Sequence, residues 1–162
     1  YKYFDYLFVI KSKTIMNNKI EINGFKRSGL NAASKAIPLQ FDYLVHDYNS
    51  ISNCFKGTIN IQLDYDLIVL NPDHRSKPLK WNKAIPEEVF DFLSVKLFIP
   101  RLNIEYSAWL YIPHNSPHRN RQNIHEILCE KIENLNECEN LKLRIDKQFV
   151  ILPYEKTKIY II

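Results

Sequence analysis

The sequence predicts a mainly β protein, a barrel of short strands with short helical insertions, and three observations carry that prediction. Short segments alternate apolar and polar side chains along much of the chain, the period-2 mark of half-buried strands. The residues that fill them are β-branched or aromatic, with ten Tyr and nine Phe among 162 residues. Asn, Asp and Pro separate the segments at short intervals, and sustained helical periodicity is scarce. Many short strands with few helices fit a closed β architecture better than a layered α/β sheet.

Residues 1–11 (YKYFDYLFVIK) read as a strand and residues 16–18 as a turn. Residues 19–27 (KIEINGFKR) alternate and read as the next strand, with Gly24 marking a bulge or a close approach of a neighbouring backbone. Residues 28–35 (SGLNAASK) read as a loop of small side chains. Such a loop lets backbone N–H groups approach a phosphate, with Ser28, Ser34 and Lys35 as added contacts. A plain connection, or the first turn of a short helix, accounts for it as well. Residues 37–55 carry a mixed pattern with Pro38 inside and read as irregular.

The stretch Lys56-Gly57-Thr58-Ile59-Asn60-Ile61-Gln62-Leu63 is the centre of the reading. A turn glycine leads into a strand whose Ile59, Ile61 and Leu63 go to a core. Thr58 and Asn60 then point the same way, two residues apart. A hydroxyl and an amide oxygen on one face can hold a hard cation such as Mg²⁺ beside a phosphate; a polar face washed by water has the same pattern. Residues 66–70 continue this strand or start a partner. Residues 71–86, with Pro72, Pro78 and Pro86, read as a long loop in which Trp81 seals against the core or stacks on a planar ligand. Residues 88–102 fit a helix in their first half and a strand from about 92 to 99. Residues 104–112, 123–128 and 141–145 read as strands, 129–134 as a helical turn, and 149–152 and 158–162 as final strands.

One domain is expected over residues 1–162, long enough to bury a substantial core. The net charge is +4, and the basic residues are scattered rather than gathered in a stripe. That permits an anionic small ligand and argues against a nucleic-acid partner. No apolar run approaches the roughly 18 residues that cross a membrane. The cysteines, Cys54, Cys129 and Cys138, are odd in number and lack metal or redox spacing, so reduced thiols in a cytoplasmic setting are expected. There are only three glycines, against about eleven at the usual frequency, so each retained one points to a backbone need.

Taken in order, these pieces resemble the archaeal CTP-dependent riboflavin kinases, which form a six-stranded cradle-loop barrel. The resemblance spans residues 19–145, a barrel core with strand extensions on both sides. Gly24-Phe25-Lys26-Arg27-Ser28-Gly29-Leu30 stands where the family has a strand and a Ser-Gly-Leu-Gly loop. Gly57-Thr58-Ile59-Asn60-Ile61 stands for its Gly-Thr-Leu-Asn strand, and Val95-Lys96-Leu97 for its Val-Lys strand. Pro113, Ser116 and His118 follow its Ile-Pro strand end, and Glu126-Ile127-Leu128 its Glu-Ile strand. All three glycines fall on family positions. The chain departs after Leu30: Asn31-Ala32-Ala33-Ser34 replaces Gly-Glu-Gly-Arg, which adds β-carbons and removes a guanidinium, with Lys35 as a point charge one residue later.

The resemblance implies transfer of the CTP γ-phosphoryl group to riboflavin, giving FMN and CDP, with Mg²⁺. It implies metal binding by Thr58 and Asn60, and nucleotide binding by Gly24, Ser28, Gly29, Leu30, Lys35 and Gly57. Ser116 and His118 stand at its substrate side. Glu126, on the strand after the polar loop, is the candidate base or acceptor-binding group; a surface carboxylate paired with Lys or Arg is the plainer account. His114, His118 and His125 lack zinc-ligand spacing, and Cys129 beside His125 and Glu126 in sequence does not make a triad. A barrel that binds nucleotide or flavin without turnover is the alternative, and a DNA-binding regulator the third reading.

Overall fold

The structure, a computed structural model, describes residues 18–28, 32–115 and 123–151. Its strands are β1 (Lys19–Arg27), β2 (Ile59–Leu63), β3 (Ile68–Val69), β4 (His74–Arg75), β5 (Phe90–Ile99), β6 (Ile104–Pro113), β7 (Ile124–Cys129), β8 (Asn140–Asp146) and β9 (Val150–Ile151). The α-helix among the described residues is α1 (Ala32–Asp47). The strands expected at 1–11 and 158–162 lie outside the described residues.

Six strands close into an antiparallel barrel. The order runs β5-β6-β7-β2-β1-β8, and β8 pairs back onto β5 through Leu97↔Leu143. Strands β8-β5-β6-β7 form a Greek key, with the last strand in sequence lying beside the first. One edge of β5 serves two partners in tandem: Lys96–Phe98 pair with β8, while Asp91 and Phe92 pair with β4.

Alternation divides the side chains between two cores. Ile22, Ile61, Leu63, Leu93, Leu97, Leu110, Ile127 and Leu143 fill the barrel. Side chains of the opposite parity on β5, β6 and β7, namely Phe90, Phe92, Tyr111 and Leu128, face outward and are buried against Ile37, Phe41 and Leu44 of α1. A wall buried on both faces over residues 90–93 explains why the first half of residues 88–102 read ambiguously: these four residues are all buried, and alternation sets in only from Ser94.

The helix is the largest departure from expectation. Residues 37–55 were expected to be irregular because of Pro38, yet α1 runs through Pro38. Proline removes one intrahelical hydrogen bond. Ile37, Phe41 and Leu44, spaced i, i+4, i+7 on one face, gain enough burial on the barrel wall to offset that loss. The helical turn expected at 129–134 is displaced: Cys129 completes β7, and a 3₁₀ turn forms at Leu135–Glu137 after Asn134, whose φ of 58° a short polar side chain tolerates. The long loop at 71–86 contains β4 and leads to the Leu79↔Glu88 bridge, and half-buried Trp81 seals it by donating its Nε1–H to Glu88 Oε2 at 3.1 Å. Residues 68–69 form a partner for β9 rather than extending β2.

Gly24 answers a packing need. Its pairing with β2 and β8 is regular, without a bulge. A β-carbon there would lie 2.8 Å from the Gln62 carbonyl oxygen and 2.8 Å from Ile61 Cγ1. Gly24→Ala is therefore expected to destabilise the barrel by about 1–3 kcal/mol through overpacking, read as a lower urea midpoint with an unchanged slope. A midpoint equal to the parent's would show that β1 can shift away freely.

Candidate functional site

Strand β2 lies between β1 and β7, and the register fixes what meets across it. Arg27 stands opposite Asn60, Asn60 opposite Glu126, and Glu126 opposite Tyr111 of β6. Residues directly opposite share a face. It is the outer face, because their sequence neighbours Ile61, Ile127 and Leu110 fill the barrel. Thr58 precedes Asn60 by two positions and joins the same face, where its hydroxyl donates to Glu126 Oε1 at 3.1 Å. The common orientation expected for Thr58 and Asn60 is thus realised, and Glu126 meets both from a strand 68 residues further along the chain.

Burial gives this trio its chemistry. Asn60 is 8 % exposed and Glu126 7 %. Asn60 Oδ1 is a buried side-chain oxygen with no hydrogen-bond partner among the described residues, an arrangement that costs about 1–3 kcal/mol if nothing fills it. Burial raises the Glu126 carboxyl above its ordinary pKa, and the hydrogen bond from Thr58 offsets part of the rise. Glu126 forms no ion pair among the described residues, so the surface-carboxylate account does not describe it. Behind it, buried Tyr111 donates its hydroxyl to Gln40 Oε1 of α1 at 2.6 Å. The Tyr111 phenol is pushed well above its usual pKa, first by burial and then by the Glu126 and Glu88 carboxylates.

A cleft of about 600 Å³ opens in front of Thr58 and Asn60; Glu126, bonded to Thr58, is not in its lining. Thr58 and Asn60 form one bank with Arg27 and Ser28, and the turn at 135–139 forms the other. Lys26 Nζ spans the two, donating to the Leu135 carbonyl at 2.5 Å. Arg27 Nε donates to Gln62 Oε1 at 2.7 Å. Glu139 adds one carboxylate to the rim.

Of the residues expected in the site, Ser28, Thr58 and Asn60 line this cleft, and Glu126 is bonded to Thr58. Gly57 directly precedes Thr58, its N–H bonded to the Phe55 carbonyl at 2.8 Å. Gly24 turns toward the barrel interior, and Lys35 is exposed on α1, away from the cleft lining. Gly29, Leu30, Ser116 and His118 lie outside the described residues. His114 binds Asp91, which Arg75 grips with two N–H groups. Cys129 carries a thiol pushed up to about 12 by burial, unsuited to nucleophilic work.

Hydroxyl, amide and carboxylate oxygens suit a hard divalent cation, and Mg²⁺ is commonly held by one or two carboxylates with phosphate and water completing the shell. Thr58 Oγ1 and the orphaned Asn60 Oδ1 are oxygens of that kind, with the Glu126 carboxylate adjacent. Among the described residues no group of three or more His, Cys, Asp or Glu side chains could hold a metal ion. Sequence reasoning passed over Arg27, which stood only inside the Gly24–Leu30 stretch, and the buried partners Gln40, Glu88 and Tyr111. Strand parity alone carries Arg27 onto the Thr58 face once the β1–β2 register is known. No helix among the described residues is long and apolar enough to cross a membrane. No family model matches the chain, and no curated protein matches it.

Proposed function

We propose that this barrel is a Mg²⁺- and nucleotide-dependent kinase of the riboflavin kinase kind, moving the γ-phosphoryl group of CTP to riboflavin. The observation that carries the reading is the orphaned, buried Asn60 Oδ1 beside the Thr58–Glu126 pair, at the side of a cleft that also carries Lys26 and Arg27. Phosphoryl transfer depends chiefly on positioning and charge neutralisation, and a weak base suffices. The Thr58 hydroxyl donates to Glu126, which leaves its oxygen lone pairs for a cation. Asn60 supplies the second oxygen. Mg²⁺ held there supplies neutralisation of the phosphate charge. Glu126, with its raised pKa, takes the proton of the acceptor hydroxyl. Ser28 lines the cleft next to Arg27, where its hydroxyl would add a contact to the nucleotide.

One observation favours the binding-module alternative. Helix α1 begins at Ala32, so the small-residue loop expected to run to Lys35 is cut short. The test is FMN formation from riboflavin with Mg²⁺ and either CTP or ATP. Product that requires Mg²⁺ and prefers CTP is the expected result. No turnover by the folded protein, with nucleotide and flavin each raising the melting temperature, would replace the kinase reading with the binding module.

A further inference from the structure

We propose that Arg27, aimed by Gln62, is the phosphate clamp of the cleft, gripping a phosphate group of a polyphosphate ligand through its outer guanidinium edge. The inference deepens the kinase reading and rests on it for the nature of the ligand. Arg27 is exposed at the end of β1, opposite Asn60 in the register, and lines the same cleft. An exposed arginine normally samples many rotamers and loses that freedom on binding. Here the Nε–H is already committed to Gln62 Oε1 at 2.7 Å. Gln62 stands on the same face of β2 as Asn60, two positions on, and reaches Arg27 diagonally across the strand pair.

With Nε occupied, the plane of the guanidinium is set. Its two terminal nitrogens carry no hydrogen bond or ion pair among the described residues, although Glu139 lines the same cleft. A planar pair of N–H donors held in one orientation matches two oxygens of a phosphate, and a lysine at the same place is only a point charge. Lys26 is not equivalent, because its ammonium is tied to the Leu135 carbonyl and is a point charge without a fork. Gln62 acts through Arg27, as a positioning residue.

The experiment is calorimetric titration of the protein with inorganic tripolyphosphate in Mg²⁺, a probe that needs neither nucleobase nor flavin. Arg27→Gln is expected to weaken binding about tenfold or more. Arg27→Lys keeps the charge, loses the fork and falls between. Gln62→Leu is expected to weaken binding a few-fold. In that background Arg27→Lys costs little more, because an unaimed guanidinium has lost its advantage; a merely structural Gln62 would leave the Arg-to-Lys difference unchanged. Thermal melts of each variant establish that the barrel is folded.

Binding by Arg27→Gln within twofold of the parent overturns the proposal, and so does a parent that does not bind tripolyphosphate at millimolar concentration. Arg27-dependent binding without any riboflavin phosphorylation would sink the kinase reading and leave the clamp standing. Turnover with Arg27-independent binding would do the reverse.

Discussion

Replacing Thr58 and Asn60 together by alanine is expected to lower riboflavin phosphorylation by about 10³-fold or more, since loss of one group that stabilises developing charge typically costs 10²–10³. The same double variant is expected to lose any rise in melting temperature that Mg²⁺ gives the parent with nucleotide present. Stability without Mg²⁺ should move little, and that separates a ligand site from a structural one. Asn60 Oδ1 is buried with no partner among the described residues, so removing it relieves a desolvation penalty while Asn60→Ala leaves a small void. The two effects are of similar size and opposite sign. A variant that keeps Mg²⁺-dependent stabilisation would remove the cation from this site. One that simply unfolds would show that Thr58 and Asn60 hold the barrel together.

Glu126→Gln is expected to cut turnover about 10²-fold or more while making the protein more stable at neutral pH. The sign follows from its raised carboxyl. Burial lifts the folded-state pKa of Glu126 above its unfolded value. A group raised in this way favours the folded state below the unfolded pKa, and that advantage is lost as pH rises through the folded pKa. Above the folded pKa the parent holds a buried charge that glutamine lacks, and each tenfold weakening of the acid on folding costs it about 1.4 kcal/mol. The amide oxygen can still accept from Thr58. The gain in melting temperature, about 2–4 °C per kcal/mol in a chain of this size, should be absent near pH 4 and grow toward neutrality. A gain independent of pH would place its origin in packing. Saturating Mg²⁺ and nucleotide should shrink the gap, because the parent then has its counter-charge and the variant does not.

The strands of the barrel were legible where one face is buried and the other wet. β1 was expected at residues 19–27 and occupies Lys19–Arg27, because its alternation is clean and its neighbours are turn residues. β6 was nearly as clear. Where the wall is buried on both faces, over the first four residues of β5, the alternation is lost and local reading became ambiguous. Helix α1 stayed hidden because Pro38 is a strong local breaker and the burial that overrides it is a tertiary effect. The site divides in the same way. That Thr58 and Asn60 share a face follows from strand periodicity alone. That Glu126 meets them, that Tyr111 stands behind Glu126, and that Gln62 holds Arg27 depend on the register of distant strands, which no local pattern encodes.

The two-faced wall also sets an order of opening. Strands β2 and β7 each have partners on both edges, whereas α1 is held mainly by side chains packed on the outer face. Local unfolding that frees α1 and leaves the barrel closed is therefore the cheaper excursion, and amide hydrogen exchange should sort the molecule into a faster tier in α1 and a slower one in the barrel strands. Each time α1 lifts, the Tyr111–Gln40 bond breaks and water reaches Tyr111, which stands opposite Glu126. The phenol then loses the burial that raises its pKa. That shift is a property of the closed ensemble alone, and the resting equilibrium of one helix sets what fraction of molecules possesses it.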